Sequence, residues 1–537
     1  MDPGLPRAQA VAVTGDRITA VGNRAAVLAL AGPQTDVVDY GPATILPGFV
    51  ESHLHLVLGG AQLAHLHLHG VDTRDAAARA FRAYAAANPT APLLMAQGGA
   101  YALDRQPMTR QVLDVILPDR PIAITAIDLH TVWANTTALR MAGLLHGALM
   151  PAGHEVVIGP DGTATGELRE FEAFAPIIAL GGEGRLNLGI STGREPSPWP
   201  DAAEQAIDRS KTALGLAHCA RHGITSIVNM DGNRYTLDLL AGLRAANRLT
   251  ARVKVPFHFK PDMALPDLDH ASAMQADFND DWLSSGFVKF FMDGVTDSRT
   301  AFQLNDYPGH PGHRSKPLFD AAAFARIATA VDRRGLQMAV HAIGDGAVRQ
   351  TIDGYQAARA ANGPRDSRHR IEHIELIDPA DIPRLAALGI TASIQPVHAP
   401  GAMDFGLQPT LDIIGAARWK DAYLCRTLAD HGTKIAFASD WPVTDVNTLR
   451  GIKAALTRPT YPGATDQRLN LHDTLHAYTA GGAWAAHLEH LTGTLRRGLA
   501  ADITILSSDI EATAAADIDQ LHISRTFCSG QTTFQAP

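Results

Sequence analysis

The feature that most restricts the fold is a rhythm in the second half of the chain. Short apolar runs recur at residues 224–228, 252–257, 287–291, 337–341, 370–373, 391–395 and 434–440, each followed by enough residues for a helix. Runs of this kind, with no polar alternation, are strands buried on both faces, and helix-length connections make them parallel. An eighth run stands near the start: Ile45-Leu46-Pro47-Gly48-Phe49-Val50-Glu51-Ser52-His53-Leu54-His55. Eight strands with crossover helices is the count of a (β/α)8 TIM barrel, whose active site lies at the C-terminal strand ends.

The two ends of the chain read differently. Residues 10–13 and 18–22 flank a Thr14-Gly15-Asp16-Arg17 turn as a hairpin, Val37-Val38-Asp39-Tyr40 and residues 43–46 add strand-like pieces, and residues 493–506 have the same character. The expected class is therefore α/β: a TIM barrel, a small composite β-sandwich from both termini, and a large insertion after the first barrel strand. The expected boundaries are 1–47 for the N-terminal part of the sandwich, 48–70 for the first barrel strand and its exit, and 71–200 for the insertion. Residues 201–488 then complete the barrel, and 489–537 the sandwich. Within the insertion, residues 93–96 and 121–126 read as strands and 155–163 as a hairpin, while 181–200, rich in Gly, Pro and Ser, reads as a surface excursion. His65-Leu66-His67-Leu68-His69 reads as a strand with a polar face rather than a metal site.

Composition excludes several classes. Across 537 residues the net charge of −9 is spread without long blocks, which argues against nucleic-acid or anionic-membrane partners. Three cysteines, far apart, point to a reducing compartment without a disulfide framework. The start lacks a basic segment followed by an apolar core, and no apolar run reaches membrane-spanning length. A cytoplasmic protein is expected, with a small-molecule substrate and a homodimeric assembly.

On a strand, residues two apart point to one side, so His53 and His55 can grip one ion together. The polar residues that close the other strands are Lys289, His341, His373 and Asp440. In a barrel these converge on one rim. Two divalent ions roughly 3.5–4 Å apart would there polarise an acyl oxygen and supply a nucleophile at neutral pH. His53, His55 and Asp440 would serve one ion, His341 and His373 the other. Burial of Lys289 between Val288 and Phe290 would favour its neutral amine, which can take up CO2 to form a carbamate bridging both.

These motifs also carry a resemblance. Leu46-Pro47-Gly48-Phe49-Val50-Glu51-Ser52-His53-Leu54-His55, Asp128-Leu129-His130-Thr131-Val132-Trp133-Ala134-Asn135, Val288-Lys289-Phe290-Phe291-Met292-Asp293-Gly294, His341-Ala342-Ile343-Gly344-Asp345, Arg370-Ile371-Glu372-His373, Gln395-Pro396-Val397-His398 and Ser439-Asp440-Trp441-Pro442-Val443 jointly resemble the amidohydrolase superfamily. Within it the pattern is similar to the YtcJ-like group of amidohydrolase family 3, along nearly the whole chain. The resemblance implies a metal-dependent hydrolase with two Zn2+ ions, or one, held by His53, His55, Lys289, His341, His373 and Asp440. It also supports Asp440 as proton shuttle. The chain departs from the group in lacking the usual first sandwich strand, in Glu51 where Asp is common, and in Gly346 where Arg is common.

The expected reaction is hydrolysis of an amide, N-acyl or N-formyl bond. His130 and His398 are candidates for holding the substrate carbonyl or leaving group, and Tyr101, Trp133, Phe302 and Trp441 for an apolar wall. Arg299 could meet a substrate carboxylate, but pairing with Asp293 is the favoured reading. Other chemistries are weighed against these. Gly189-Ile190-Ser191-Thr192-Gly193 matches a nucleophile elbow, but the proline-rich stretch after it denies the helix that motif needs. His218 and His222 have helical i,i+4 spacing without the Glu of a zinc-protease helix, and read as a polar helix face away from the active rim. A non-catalytic binding protein on the same barrel would be expected to lose ligands, and none of the six is lost. Ester or carbamate hydrolysis and decarboxylation remain open within the enzyme class.

Overall fold

The computed structural model describes every residue except 69, 127–130, 151–153 and 183. The chain divides into two compact units: Met1–Leu56 with Leu216–Pro537, and Val57–Gly215.

In the first unit, β1 (Ala10–Thr14) and β2 (Arg17–Gly22) form an antiparallel hairpin. Strand β3 (Ile45–Pro47) pairs with residues near the other end of the chain. It lies antiparallel to Ile503–Leu506, which continues into Ile523–Cys528 and Gln531–Gln535. Both termini therefore share one core, where Ile18, Ala501, Ile503 and Ile505 are buried against Val11, Val21 and Ile45. Residues 37–40 do not form the strand their valines suggest. The Asp39 side chain accepts the Gly41 N–H at 2.9 Å, a local turn that competes with sheet pairing, and both valines stay exposed.

The strand runs of the sequence appear in order: β4 (Phe49–Leu54), β5 (Ile224–Asn229), β6 (Arg252–Lys254), β7 (Phe257–His258), β8 (Phe287–Phe291), β9 (Gln337–Ala342), β10 (Arg370–His373), β11 (Thr391–Ile394) and β12 (Lys434–Phe437). Strands β4, β5 and β6 pair in parallel, as do β7 through β12, each with its neighbour. The single run predicted at 252–257 is split at Val255-Pro256, because proline has no N–H to give a ladder. Beyond β12, the Asp440 N–H reaches the His53 carbonyl at 2.9 Å and the His55 N–H reaches the Trp441 carbonyl at 2.7 Å. The last strand segment is thereby tied to the first, and His53, His341, His373 and Asp440 all lie at C-terminal strand ends.

At the opposite, N-terminal strand ends lies a polar cavity of about 400 Å3, lined by Lys254, Gly286, Gln337, Asp366 and His487 among others. The Lys254 ammonium donates to the Ala486 carbonyl at 3.2 Å and lies 5.6 Å over the Phe287 ring. Burial, with Arg370 and Arg368 nearby, lowers its pKa from 10.5 to about 7. The folded chain thus favours the neutral amine. The resulting penalty on stability is full below pH 7 and disappears as pH rises toward 10.5. Lys254→Met is expected to stabilise the chain by ~2–4 kcal/mol at pH 6 and to flatten its gain in stability between pH 7 and 10. Urea unfolding of both proteins across that range checks this.

The second unit carries a six-stranded mixed sheet. Leu66–His67, Leu94–Gly99 and Ile122–Ala126 run parallel, and Thr131–Ala134, Ala164–Arg169 and Glu155–Ile158 continue it antiparallel. Its core includes Phe81, Leu94, Ile122, Ile124 and Trp133. The stretch 181–200 is not a plain excursion: Gly184–Asn187 and Leu188–Ser191 form two helical turns. Ser191 ends a helix instead of following a strand, so the nucleophile-elbow geometry is absent there.

Candidate metal centre

His53 and His55 leave the end of β4 at alternate positions, and both are buried. The Nδ1–H of His53 donates to Glu372 Oε2 at 2.7 Å, and the Nδ1–H of His55 donates to Asp231 Oδ1. With Nδ1 carrying the proton, each ring turns its Nε2 lone pair inward. Those lone pairs meet the same atom: Asp440 Oδ1 lies 3.2 Å from His53 Nε2 and 3.1 Å from His55 Nε2. Three electron-rich atoms facing one point repel unless a cation or protons sit among them. Carboxylates behind metal-binding imidazoles fix the ring and its tautomer, and Glu372 and Asp231 stand in that position here.

His373 closes β10; its Nδ1 pairs with Gln395 Oε1 at 2.8 Å and stands 4.0 Å from Asp440 Oδ2. His341, on β9, is held the other way round. Its Nε2 donates to the Gly294 carbonyl at 3.0 Å, so Nδ1 is its remaining donor atom. The rings of His53 and His373 are 4.9 Å apart and those of His341 and His373 4.5 Å. Ligand atoms of His53, His373 and Asp440 all lie within 4.8 Å of one another. Lys289, fully buried on β8, has no hydrogen-bond partner for its Nζ among the described residues, and the Nζ sits 5.0 Å over the Phe291 ring. Burial lowers its pKa to about 8, partly offset by Glu372 and Asp440. His398 Nε2 is likewise buried without a hydrogen-bond partner among the described residues. Imidazole nitrogens and a carboxylate, beside a buried amine whose pKa is lowered to about 8, are a donor set suited to divalent zinc-like cations, so the residues fit the expected metal.

The electrostatics agree with that fit. Burial depresses His341 to about 3 and His373 well below the usual range, favouring the neutral imidazoles a metal requires. Asp440 is held well below the carboxylate range by the surrounding imidazoles, although burial opposes this. His55 goes the other way. Burial disfavours its charge, but Asp231 and Asp440 outweigh it and raise the pKa to about 10. At pH 7 the metal-free chain therefore carries a proton on His55 that ligation must expel. Zinc loading is expected to release about one proton per chain from this residue. Calorimetry in two buffers of different ionisation enthalpy measures it, and Asp231→Asn should reduce it.

Backbone strain accompanies the site. His373, Ile374 and Asp440 have φ of 77°, 49° and 61°, in the left-handed region that non-glycine residues avoid. Asp293 follows β8 and accepts the N–H groups of Phe302, Ile343 and Gly344 at 2.9–3.1 Å, pinning the segment after β8 to the segment after β9. Gly346 makes room for that segment, since a Cβ there would meet Phe302 Cε1 at 2.9 Å.

The remaining expectations distribute unevenly. His398 is buried with its Nε2 4.0 Å from Asp440 Oδ2 and its ring stacked 6.0 Å from His373. His130 lies outside the described residues. Asp293 takes backbone donors, and Arg299, on a left-handed turn residue, makes no ion pair among the described residues, so the Arg299–Asp293 pairing is corrected. Tyr101 and Trp133 belong to the second unit, where they pack edge to face at 4.9 Å; Trp133 is buried and Tyr101 half exposed. Trp441 packs on His218 at 5.3 Å between ring centres. The reading of His218 as remote from the strand-end residues is thus corrected, because Trp441 directly follows Asp440. Sequence reasoning gave no role to Asp231, Glu372 or Gln395. Glu372 had a visible signal, a carboxylate next to a candidate ligand on a buried strand.

A set of metal-fitting side chains on the ends of parallel strands defines the class, and comparison with known proteins agrees. The amidohydrolase family model matches residues 36–534, and the chain belongs to that family. It is 30% identical over 531 residues to Protein LONG AFTER FAR-RED 3 of Arabidopsis thaliana, covering 95% of this chain and 85% of that one. It is 27% identical to the putative amidohydrolase YtcJ of Bacillus subtilis (strain 168), covering 94% and 91%. An N-substituted formamide deformylase of Arthrobacter pascens is 25% identical, covering 97% and 94%. Among solved structures, an uncharacterized metal-dependent hydrolase from Pyrococcus furiosus shares the fold at a TM-score of 0.71 and 24% identity, covering 94% of this chain and 95% of that one.

Proposed function

We propose that this chain is a metal-dependent hydrolase that cleaves the C–N bond of a small amide, N-acyl or N-formyl compound. In this reading the parallel strands β4 to β12 close as a (β/α)8 barrel, the terminal strands form a composite sandwich, and the unit Val57–Gly215 is an insertion after the first barrel strand. The observation that carries it is the convergence of His53 Nε2 and His55 Nε2 on Asp440 Oδ1, each imidazole backed by a carboxylate. The deformylase relative supports the choice of bond.

His53, His55 and Asp440 would hold one ion, and His341 and His373 the second. Two zinc ions are the reading the donor set favours. The Lys289 amine would add CO2 and lose a proton, and the carbamate so formed would supply a further anionic ligand to the same site. When bound, such ions supply Lewis acidity that polarises the acyl oxygen and makes water a competent nucleophile at neutral pH. Asp440 accepts the water's proton and delivers it to the leaving nitrogen as the C–N bond breaks, giving a carboxylic acid and an amine. His398 faces the same carboxylate and would hold the acyl oxygen or the leaving group.

A screen of N-formyl and N-acyl amines and amino acids with zinc-loaded protein tests the reading. Release of free amine that is lost on chelation and restored by zinc supports it. Fully loaded protein inert on the whole amide panel but active on esters would move the assignment to another bond.

A further inference from the structure

Beyond the site at the strand ends lies a second group of ligand-bearing side chains. His218 is in the last turn of the helix Ala202–Arg221, and His222 follows its end. The i,i+4 spacing puts both on one face, and their rings stand edge to face at 4.9 Å. Asp445, in the segment after β12, joins them although it is more than 220 residues away in sequence. Ligand atoms of His218, His222 and Asp445 all lie within 4.8 Å of one another, a spacing that one ion can span.

We propose that His218, His222 and Asp445 form a second cation site for a divalent ion that favours imidazole, such as Zn2+, Co2+ or Ni2+. Two imidazoles and one carboxylate are three ligands of a tetrahedral set, with the fourth position left to water because the Asp445 side chain is 40% exposed. The local structure prepares the carboxylate. Asp445 Oδ1 accepts the Asn447 N–H at 3.0 Å, which fixes its orientation, while Arg450 stands only at 3.5 Å from Oδ2 and is engaged by Asp404. The Thr448 hydroxyl reaches the His222 carbonyl at 3.4 Å, a further tie between the same two segments.

The place of the site gives it a role. Its carboxylate comes from the segment that begins at Asp440, and the Trp441 ring packs on His218. An ion here clips the segment after the eighth strand run to the helix end, and so limits movement of the backbone that carries Asp440 in a left-handed conformation. The site is a positioning device. It does not depend on the bond the enzyme cleaves.

The test uses the full chain stripped with chelator and titrated with Co2+ or Zn2+. The proteins compared are wild type, D445N, H218A/H222A, and H53A/H55A, in which the strand-end site is disabled. Binding is read by metal analysis, Co2+ absorption, and quenching of fluorescence assigned to Trp441 with W441F. The expected result is that H53A/H55A keeps a binding event that quenches Trp441. D445N should weaken that event at least 10-fold, and H218A/H222A should abolish it. Because Asp445 is exposed, D445N reports even if the double histidine variant folds poorly. Loss of all binding in H53A/H55A, or unchanged quenching affinity in D445N, overturns the proposal. Neither result alters the reading of the strand-end site, which the amine-release screen tests separately.

Discussion

Asp440→Asn is expected to lower kcat by ~10^2–10^4-fold with little change in KM, while part of the bound metal is retained. The carboxylate lies 3.2 and 3.1 Å from the inward nitrogens of His53 and His55. Asparagine keeps the shape and one oxygen that can face a cation, but its amide cannot take up and return a proton at neutral pH. The loss should therefore fall on the chemical step. Steady-state kinetics with metal content measured on the same preparation separates this from simple loss of the ion. Full activity with bound metal would remove Asp440 from proton transfer.

Glu372→Ala should damage both stability and metal affinity, and the two can be told apart. Glu372 is fully buried, accepting from His53 Nδ1 at 2.7 Å and from Arg370 Nε and Nη2 at 2.8 and 3.0 Å. Arg370, fully buried too, also donates to the Ser52 carbonyl and Ser393 hydroxyl. Its charge holds Glu372 far below the usual carboxylate range against the penalty of burial. Removing the carboxylate leaves a guanidinium in the strand interior without a counter-charge, at a cost of ~3–5 kcal/mol. It also frees the His53 ring from its tautomer and orientation, which should weaken metal binding by ~10–100-fold. The double variant Arg370→Met/Glu372→Met should recover much of the stability and none of the metal affinity. Denaturant unfolding of the chelated proteins measures the first quantity and zinc titration the second. If the double variant also restored affinity, Glu372 would be a packing residue without a role in orienting His53.

The histidines and Asp440 were legible because their signal is local. A strand run of apolar residues ending in His or Asp can be read from a few consecutive positions, and parallel order brings such ends together. The break at Pro256 and the turn at Asp39 were less visible, since each is one residue overruling the propensity of its neighbours. Arg299 shows the limit more sharply. Opposite charges six residues apart suggested a pair, yet the Asp293 carboxylate found three backbone N–H groups once the segments after β8 and β9 met.

What the sequence by itself determined is the alternation of strand and helix, the α/β class, and the side chains at strand ends able to bind metal. These follow from periodicity and residue chemistry within short windows. Only the tertiary structure decided which nitrogen of His53 and of His55 faces inward, because Glu372 and Asp231, which set that choice, lie 319 and 176 residues from their histidines. It alone also brought Asp445 to His218 and His222. Hydrogen bonds a few ångströms long depend on how distant segments close in space, and no short stretch of sequence carries that information.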